Sequence, residues 1–231
     1  MNIEIKHMIE GAKEAKGIVV IIDVFRAFSV EVYLANNNAY RIYPVGDKEI
    51  AYQYKKVNKE AILIGERKGI KLPDFNYGNS PSEIENIDFT GKEVVHTTSA
   101  GTQGIANAIN ADEIITGSLV NSKAIANYIK DKNPDNVTLV AMGRGGETDS
   151  DEDTLCAYYI KSLIEGKELD ISESIKNLKK TSGAKFFKKE LNAVFPERDF
   201  YLCTELDKFN FILRVVKNSQ GLDYVEKIEI N

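Results

Sequence analysis

Three stretches of the chain repeat one arrangement of apolar and polar positions. Residues 18–22 are five consecutive apolar side chains. They run into Asp23-Val24-Phe25-Arg26, a helical stretch to residue 35 and a further apolar run at 41–45. Residues 93–96 lead into Thr97-Thr98-Ser99-Ala100-Gly101-Thr102, a helix through 105–109 and a run at 113–116. Residues 137–142 lead into Gly143-Arg144-Gly145-Gly146, an acidic stretch and a helix from 154 to about 165. Short apolar runs followed by a polar turn and a 3.6-residue period predict strand, turn and helix each time. Ala124, Ile125, Tyr128 and Ile129 mark another helix face after Asn121-Ser122. Strands this continuously apolar are covered on both faces. The pattern therefore predicts an α/β fold, a layered mixed or largely parallel sheet with helices on both faces, in one unit or two α/β lobes. Residues 1–231 read as one catalytic unit, with any C-terminal lobe starting near 166.

Two regions depart from this pattern. After a strand at 61–64, residues 65–81 (GERKGIKLPDFNYGNSP) are polar and rich in turn formers. They predict a long loop, and ordered long loops often carry function. Beyond residue 165 the chain shows no recognisable motif. Residues 176–189 are basic and helical at first, and 199–204, 209–216 and 224–230 predict strands. This segment either completes the sheet or mediates a homodimer.

Composition narrows the classes. Thirty Lys and Arg against 35 Asp and Glu give a net charge of −5, spread along the chain. That argues against a general nucleic-acid-binding surface. Two cysteines without a CxxC spacing fit a reducing compartment. The opening MNIEIKHMIEGAKEAKG has no apolar core of a secretory signal, and no run is long enough to span a membrane. The expectation is a cytoplasmic protein without a membrane partner. With only His7 and His96 available, a metal would be held by carboxylates and water, which favours Mg²⁺ over zinc.

In open α/β sheets ligands bind beyond the carboxyl ends of the strands. Asp23, Thr97-Thr98 and Gly143 all fall there. Plain structural roles exist for each: Asp23 as a helix cap, Arg26 on a solvated face, the threonines as caps, Gly101 for backbone freedom. Ser150 and Asp153 fit a helix-start pattern, with Glu152 and Asp153 complementing the dipole. Together at one sheet edge they make an anion site, with Arg26 as a partner for phosphate or sulfonate. Carboxylates beside an anion call for a bridging divalent cation. Walker A and GxSxG motifs are absent, and Asp149 to Asp153 fails as a calcium loop because Thr154 stands where Gly is required. Asp23-Val24-Phe25 lacks the second Asp of the aspartyl-phosphate phosphatases. Cys156 reads as a buried structural thiol and His96 as a satisfied sheet histidine.

The runs IIDVFRAFS, GERKGIKLPDFNYGNSP, TTSAGTQGI, GSLVNSKAIA and DEDTLCA resemble, in order and spacing, the 2-phosphosulfolactate phosphatases across about residues 17–165. Tyr201-Leu202-Cys203 fits their C-terminal part. The resemblance implies a Mg²⁺-dependent phosphatase that converts 2-phospho-3-sulfolactate to 3-sulfolactate and phosphate, a step of coenzyme M biosynthesis. Where many members read TTTNGTRA, this chain reads TTSAGTQG, losing an amide and a charge. On this resemblance Asp23, Arg26, Glu66 and Arg67 are the expected catalytic groups. Asp23, Glu66, Glu152 and Asp153 are the expected Mg²⁺ ligands, some through water. Thr97, Thr98, Ser99, Gly101 and Thr102 are expected to hold phosphate, Asn79 and Ser80 to close the pocket, and Gly143 with Arg144 to contact substrate. Arg26, Arg67, Lys68 and Arg144 supply positive charge for a small anionic phosphate ester. The nucleophile is either metal-held water or Asp23. A phosphatase for another phosphorylated hydroxy acid and a non-catalytic anion-binding module are the competing readings.

Overall fold

The computed structural model describes residues 1–219 and 221–230. In chain order its elements are β1 (Asn2–His7), α1 (Met8–Glu14), β2 (Gly17–Ile22), α2 (Ala27–Asn36), β3 (Arg41–Pro44), α3 (Lys48–Val57), β4 (Ile62–Arg67), β5 (Ile70–Lys71), α4 (Pro81–Ile84) and β6 (Glu93–Thr97). There follow α5 (Gly101–Asn107), β7 (Ala111–Gly117), α6 (Ser122–Lys132), β8 (Asn136–Ala141), α7 (Asp151–Ile164), α8 (Ser172–Leu178), α9 (Glu197–Thr204), β9 (Phe211–Val216) and β10 (Tyr224–Glu229). The strands form one mixed sheet in the order β1-β8-β2-β7-β9-β10-β3-β6-β4-β5.

The unbroken apolar run of β2 has a direct cause. Val19 and Ile21 pack with Phe28, Val30 and Leu34 of α2 on one face. Ile18, Val20 and Ile22 pack with Ile125 and Ile129 of α6 and Ile160 of α7 on the other. Both faces are dry, so the usual alternation of polar and apolar residues disappears. The expected layered α/β architecture is present.

The sheet consists of two parallel blocks, β1-β8-β2-β7 and β3-β6-β4. The β9-β10 hairpin joins them through antiparallel pairings to β7 and β3. Three antiparallel steps intervene, so the blocks run in opposite senses along the sheet order. Sheet twist of roughly 20–25° per strand pair offsets much of that: the five steps from β2 to β6 turn one strand against the other by roughly 100–125°. The carboxyl ends of β2 and β8 thereby meet those of β4 and β6 at one cavity.

The segment expected as a strand at 199–204 is instead α9. Aromatic and apolar residues suggest a strand, but Pro196 precedes it, Glu197 and Asp199 occupy its first turn, and Asp199, Phe200, Leu202, Cys203 and Thr204 are buried. Part of 65–81 is a hairpin: β4 continues to Arg67 and pairs with the two-residue β5. The charged N-terminus contains an edge strand, β1, parallel to β8. The segment after 165 completes the sheet through β9 and β10 and contributes an aromatic cluster, with Phe186 and Phe200 packed against Phe25 and Phe195. No helix among the described residues is long and apolar enough to cross a membrane.

Candidate active site

A cavity of about 460 Å³ lies where the two blocks meet, walled by Asp23, Phe25, Arg26, Glu66, Lys68, Gly69, Asn79, Ser99, Ala100, Gly143, Arg144, Gly145, Glu152, Ser182, Lys185 and Phe195. Asp23 ends β2. Its Oδ1 accepts the Ala27 N–H at 3.1 Å and its Oδ2 the Gly101 N–H at 2.9 Å, so one carboxylate is held between the starts of α2 and α5. Gly101 permits this approach: a Cβ there would lie 2.9 Å from Ala27 Cβ and 3.0 Å from Asp23 Oδ2. Burial pushes Asp23 up to about 6, the charges of Glu66 and Glu152 add to the effect, and the two N–H groups oppose it.

Glu66 accepts the N–H of Ser99 at 2.7 Å, the Ser99 hydroxyl at 3.1 Å and the N–H of Gly69. It ties the β4-β5 turn to the turn after β6. Glu152, in the first turn of α7, is buried, and its Oε2 has no hydrogen-bond partner. Ser150 stands at the N-cap of α7, yet its side chain makes no capping bond.

Several predicted residues lie behind the wall. Asp153 accepts the N–H groups of Val24 (2.8 Å) and Gly143 (2.9 Å), bracing the ends of β2 and β8. Burial raises its carboxyl well above the usual range, with Glu152 and Asp23 adding to it. Arg67 turns to the carbonyls of Glu66 and Gly46 and to Thr97 Oγ1. Thr98 and Thr102 cap each other's backbone N–H groups. Ser80 donates to Asp199. In the turn expected to cradle phosphate, four N–H groups have partners within the protein, while Ala100 lines the cavity. Ser99 and Gly101 hold Glu66 and Asp23, and Thr98 and Thr102 satisfy each other.

Arg26 lines the cavity, but its Nη1 is committed to Asp199 (2.7 Å) and to the Val194 carbonyl (2.9 Å). Its guanidinium also lies 4.9 Å from the Phe195 ring centroid. Lys68, Arg144 and Lys185 differ: among the described residues none of their side chains makes a hydrogen bond or an ion pair within the protein. Lys185 is half-buried over Phe195, Phe186 and Phe25 at 5.3, 5.4 and 5.8 Å. Burial lowers its ammonium and Glu152 opposes that. Lys185, Ser182 and Phe195 are wall residues that the sequence did not single out. Lys185 and Ser182 lie in a basic stretch where neighbouring lysines look alike. Gly143 reaches the wall with φ +65, and a Cβ there would collide with the Thr148 carbonyl.

The cavity therefore holds three carboxylates, of which the Glu152 side chain makes no hydrogen bond among the described residues, and three cations that form no ion pair within the protein. Such a cavity suits a small polyanion together with a cation. No group of three or more His, Cys, Asp or Glu among the described residues is set as a metal cage. The donor set still fits Mg²⁺, which commonly takes one or two carboxylates plus substrate phosphate and water.

The family described as 2-phosphosulpholactate phosphatase matches residues 3–218. A probable 2-phosphosulfolactate phosphatase of Clostridium tetani is 37% identical over 177 residues, 75% of this chain and 76% of the relative. One of Clostridium perfringens is 32% identical over 166 residues, 70% and 67% of the two chains. One of Bacillus subtilis is 29% identical over 204 residues, 87% and 88%. These relatives are named as phosphatases, which are phosphoric monoester hydrolases. With a match over nearly its whole length, the chain belongs to the 2-phosphosulfolactate phosphatase family.

Proposed function

We propose that this chain hydrolyses 2-phospho-3-sulfolactate to 3-sulfolactate and phosphate with Mg²⁺ as cofactor, as a step of coenzyme M biosynthesis. The observation that carries the reading is the convergence of Lys68, Arg144 and Lys185, unpaired within the protein, on a cavity that also holds Asp23 and Glu152. The substrate bears a phosphate ester, a carboxylate and a sulfonate, and three separate cations suit three acidic groups. A plain anion-binding module would have no use for buried carboxylates beside its ligand.

Asp23 and Glu152 would hold the metal, with Glu66 beside them. Glu152 Oε2 lacks any other partner, and the mutual repulsion of the three carboxylates favours a cation among them. When bound, Mg²⁺ supplies charge neutralisation at the phosphoryl oxygens. The chain's own groups do the positioning. Lys185 and Arg144 take anionic oxygens, Ser99 and Gly143 shape the wall, and Phe25 and Phe195 limit water around the ester. Water attacks phosphorus in line, the bond from phosphorus to the C2 oxygen breaks, and that oxygen takes up a proton. Water is favoured over Asp23 as nucleophile because both Asp23 oxygens already accept backbone N–H bonds. In such a reaction positioning and electrostatics supply most of the rate.

The test is phosphate release from racemic 2-phospho-3-sulfolactate, with and without Mg²⁺, for the wild type and Asp23→Asn. Release that requires Mg²⁺ and falls at least a hundredfold in the folded variant is expected. Release only from other phosphorylated hydroxy acids would replace the substrate. No release from any phosphate ester would leave the binding module as the better account.

A further inference from the structure

Behind the cavity wall runs a chain of three polar side chains from three different elements. Glu31 sits in the middle of α2, His96 in β6 and Asn79 in the loop before α4. Glu31 and His96 are fully buried and Asn79 nearly so. Glu31 Oε1 lies 2.9 Å from His96 Nδ1, and Asn79 Oδ1 lies 3.2 Å from His96 Nε2. The remaining Glu31 oxygen, Oε2, has no partner. Among the described residues, Asn79 Nδ2 makes no hydrogen bond within the protein, and Asn79 forms part of the cavity wall.

Burying polar groups of this kind is costly, and a buried pair is favoured when it carries no net charge. Glu31 and His96 reach that state in two ways: carboxylate with imidazolium, or carboxylic acid donating to Nδ1 of a neutral ring. In both, Nε2 carries a hydrogen. Nε2–H can then only donate, so the Asn79 amide must present its oxygen to the histidine. Its NH₂ is left facing the cavity. The opposite state, an ionised Glu31 beside a neutral ring protonated on Nδ1, would bury a net charge and leave Nε2 as an acceptor. The amide would then turn its oxygen to the cavity and repel an anion.

We infer that Glu31 and His96 are positioning residues that lock the Asn79 amide with its NH₂ directed at an anionic oxygen of the substrate. The inference rests on the phosphatase reading for the identity of that substrate. It explains why a glutamate lies in the apolar middle of α2 and why a histidine occupies a buried strand end. A hydrogen bond to a charged group contributes about 1.5–3 kcal/mol, which is roughly a 10- to 100-fold effect.

Two measurements test it. The first is the two-bond ¹H–¹⁵N spectrum of His96 in the wild-type protein, which reports the ring nitrogens that carry hydrogen. A protonated Nε2 is expected, and a bare Nε2 overturns the proposal whatever the substrate is. The second is a double-mutant cycle. Glu31→Met with His96→Phe exchanges the pair for apolar groups of similar size, so no buried charge is stranded. Relative to the wild type, kcat/KM should fall at least tenfold in this variant and in Asn79→Ala. Combining all three substitutions should cause no further loss. Additive losses would show that the pair acts on the site by another route than Asn79. If the pair variant fails to fold by circular dichroism, binding of inorganic phosphate to the wild type and Asn79→Ala decides, with equal affinity counting against the proposal. A wild type inactive on 2-phospho-3-sulfolactate would undo the functional reading, while the His96 spectrum would still decide the orientation of the amide.

Discussion

Lys185 places a cation over three phenylalanine rings at a cavity wall, where no carboxylate pairs with it directly. The aromatic faces and the field of Glu152 compensate part of the lost hydration. A group held this way is ready for an incoming anion. Lys185→Met keeps the apolar stem and removes the charge. Its expected effect is a KM raised about 10- to 100-fold, the value of a charged hydrogen bond, with the melting temperature changed little. Steady-state kinetics with a thermal melt check this, and an unchanged KM would show that Lys185 does not reach substrate. At this scale the sequence was uneven. Asp23 and Arg26 stood out because an apolar strand ended in them. Glu31 did not, because a lone glutamate in a helix reads as a solvated charge, and only the packing of α2 against β6 reveals that it is buried. Lys185 was one of many lysines, and only the fold of the C-terminal segment brings it to the cavity.

The elements themselves were legible where their periodicity was strong. β2, β8 and α6 follow from apolar runs and one-sided helical spacing. α9 was not, since four aromatic or apolar residues in eight positions suit either structure until Phe200 and Cys203 are seen on one buried face. α7 and α9 each carry one cysteine, Cys156 and Cys203, both buried and free. Burial pushes both thiols well above their ordinary range. The folded chain therefore keeps these protons at a pH where the unfolded chain, with thiols near about 8.5, releases them. The unfolded state then binds fewer protons, so stability falls as pH rises past about 8.5. Burial raises Tyr33 and Tyr159 as well, which steepens the loss at higher pH. A urea titration from pH 7.5 to 10 should show a declining midpoint. A thiol reagent at pH 8 should modify neither cysteine until the chain unfolds. Fast modification of the native protein would mean that α7 or α9 opens readily.

On the scale of the whole molecule, the cavity depends on groups far apart in sequence. Asp23, Gly143 and Glu152 come from the first parallel block and its helices, and Glu66 and Ser99 from the second. Lys185 and Phe195 come from the segment leading to α9. Opposite strand senses in the two blocks would separate their carboxyl ends in a flat sheet, and twist brings them together. A sequence pattern can give each strand and turn but not the accumulated rotation of five strand pairs, so the meeting of these turns was right in outcome while its cause lay in the sheet. A ligand in this cavity bridges both blocks and the C-terminal segment, and its binding free energy should appear in global unfolding. At a ligand concentration a hundred times the dissociation constant, one site stabilises by about 2.7 kcal/mol, which for a chain of this size is roughly 5–11 °C in Tm. The metal reading makes a sharper claim. Without a cation, Asp23, Glu66 and Glu152 repel phosphate; without phosphate, Mg²⁺ lacks part of its oxygen shell. Each ligand should therefore raise the affinity of the other by the same factor. Mg²⁺ alone and phosphate alone should each shift Tm by a degree or two (about 0.5 kcal/mol), and the pair by clearly more than the sum. In Asp23→Asn the excess should vanish while the small phosphate shift remains, since Lys185 and Arg144 are untouched. Simply additive shifts in the wild type would show that metal and phosphate do not share the cavity, and the carboxylates would then need another explanation than Mg²⁺.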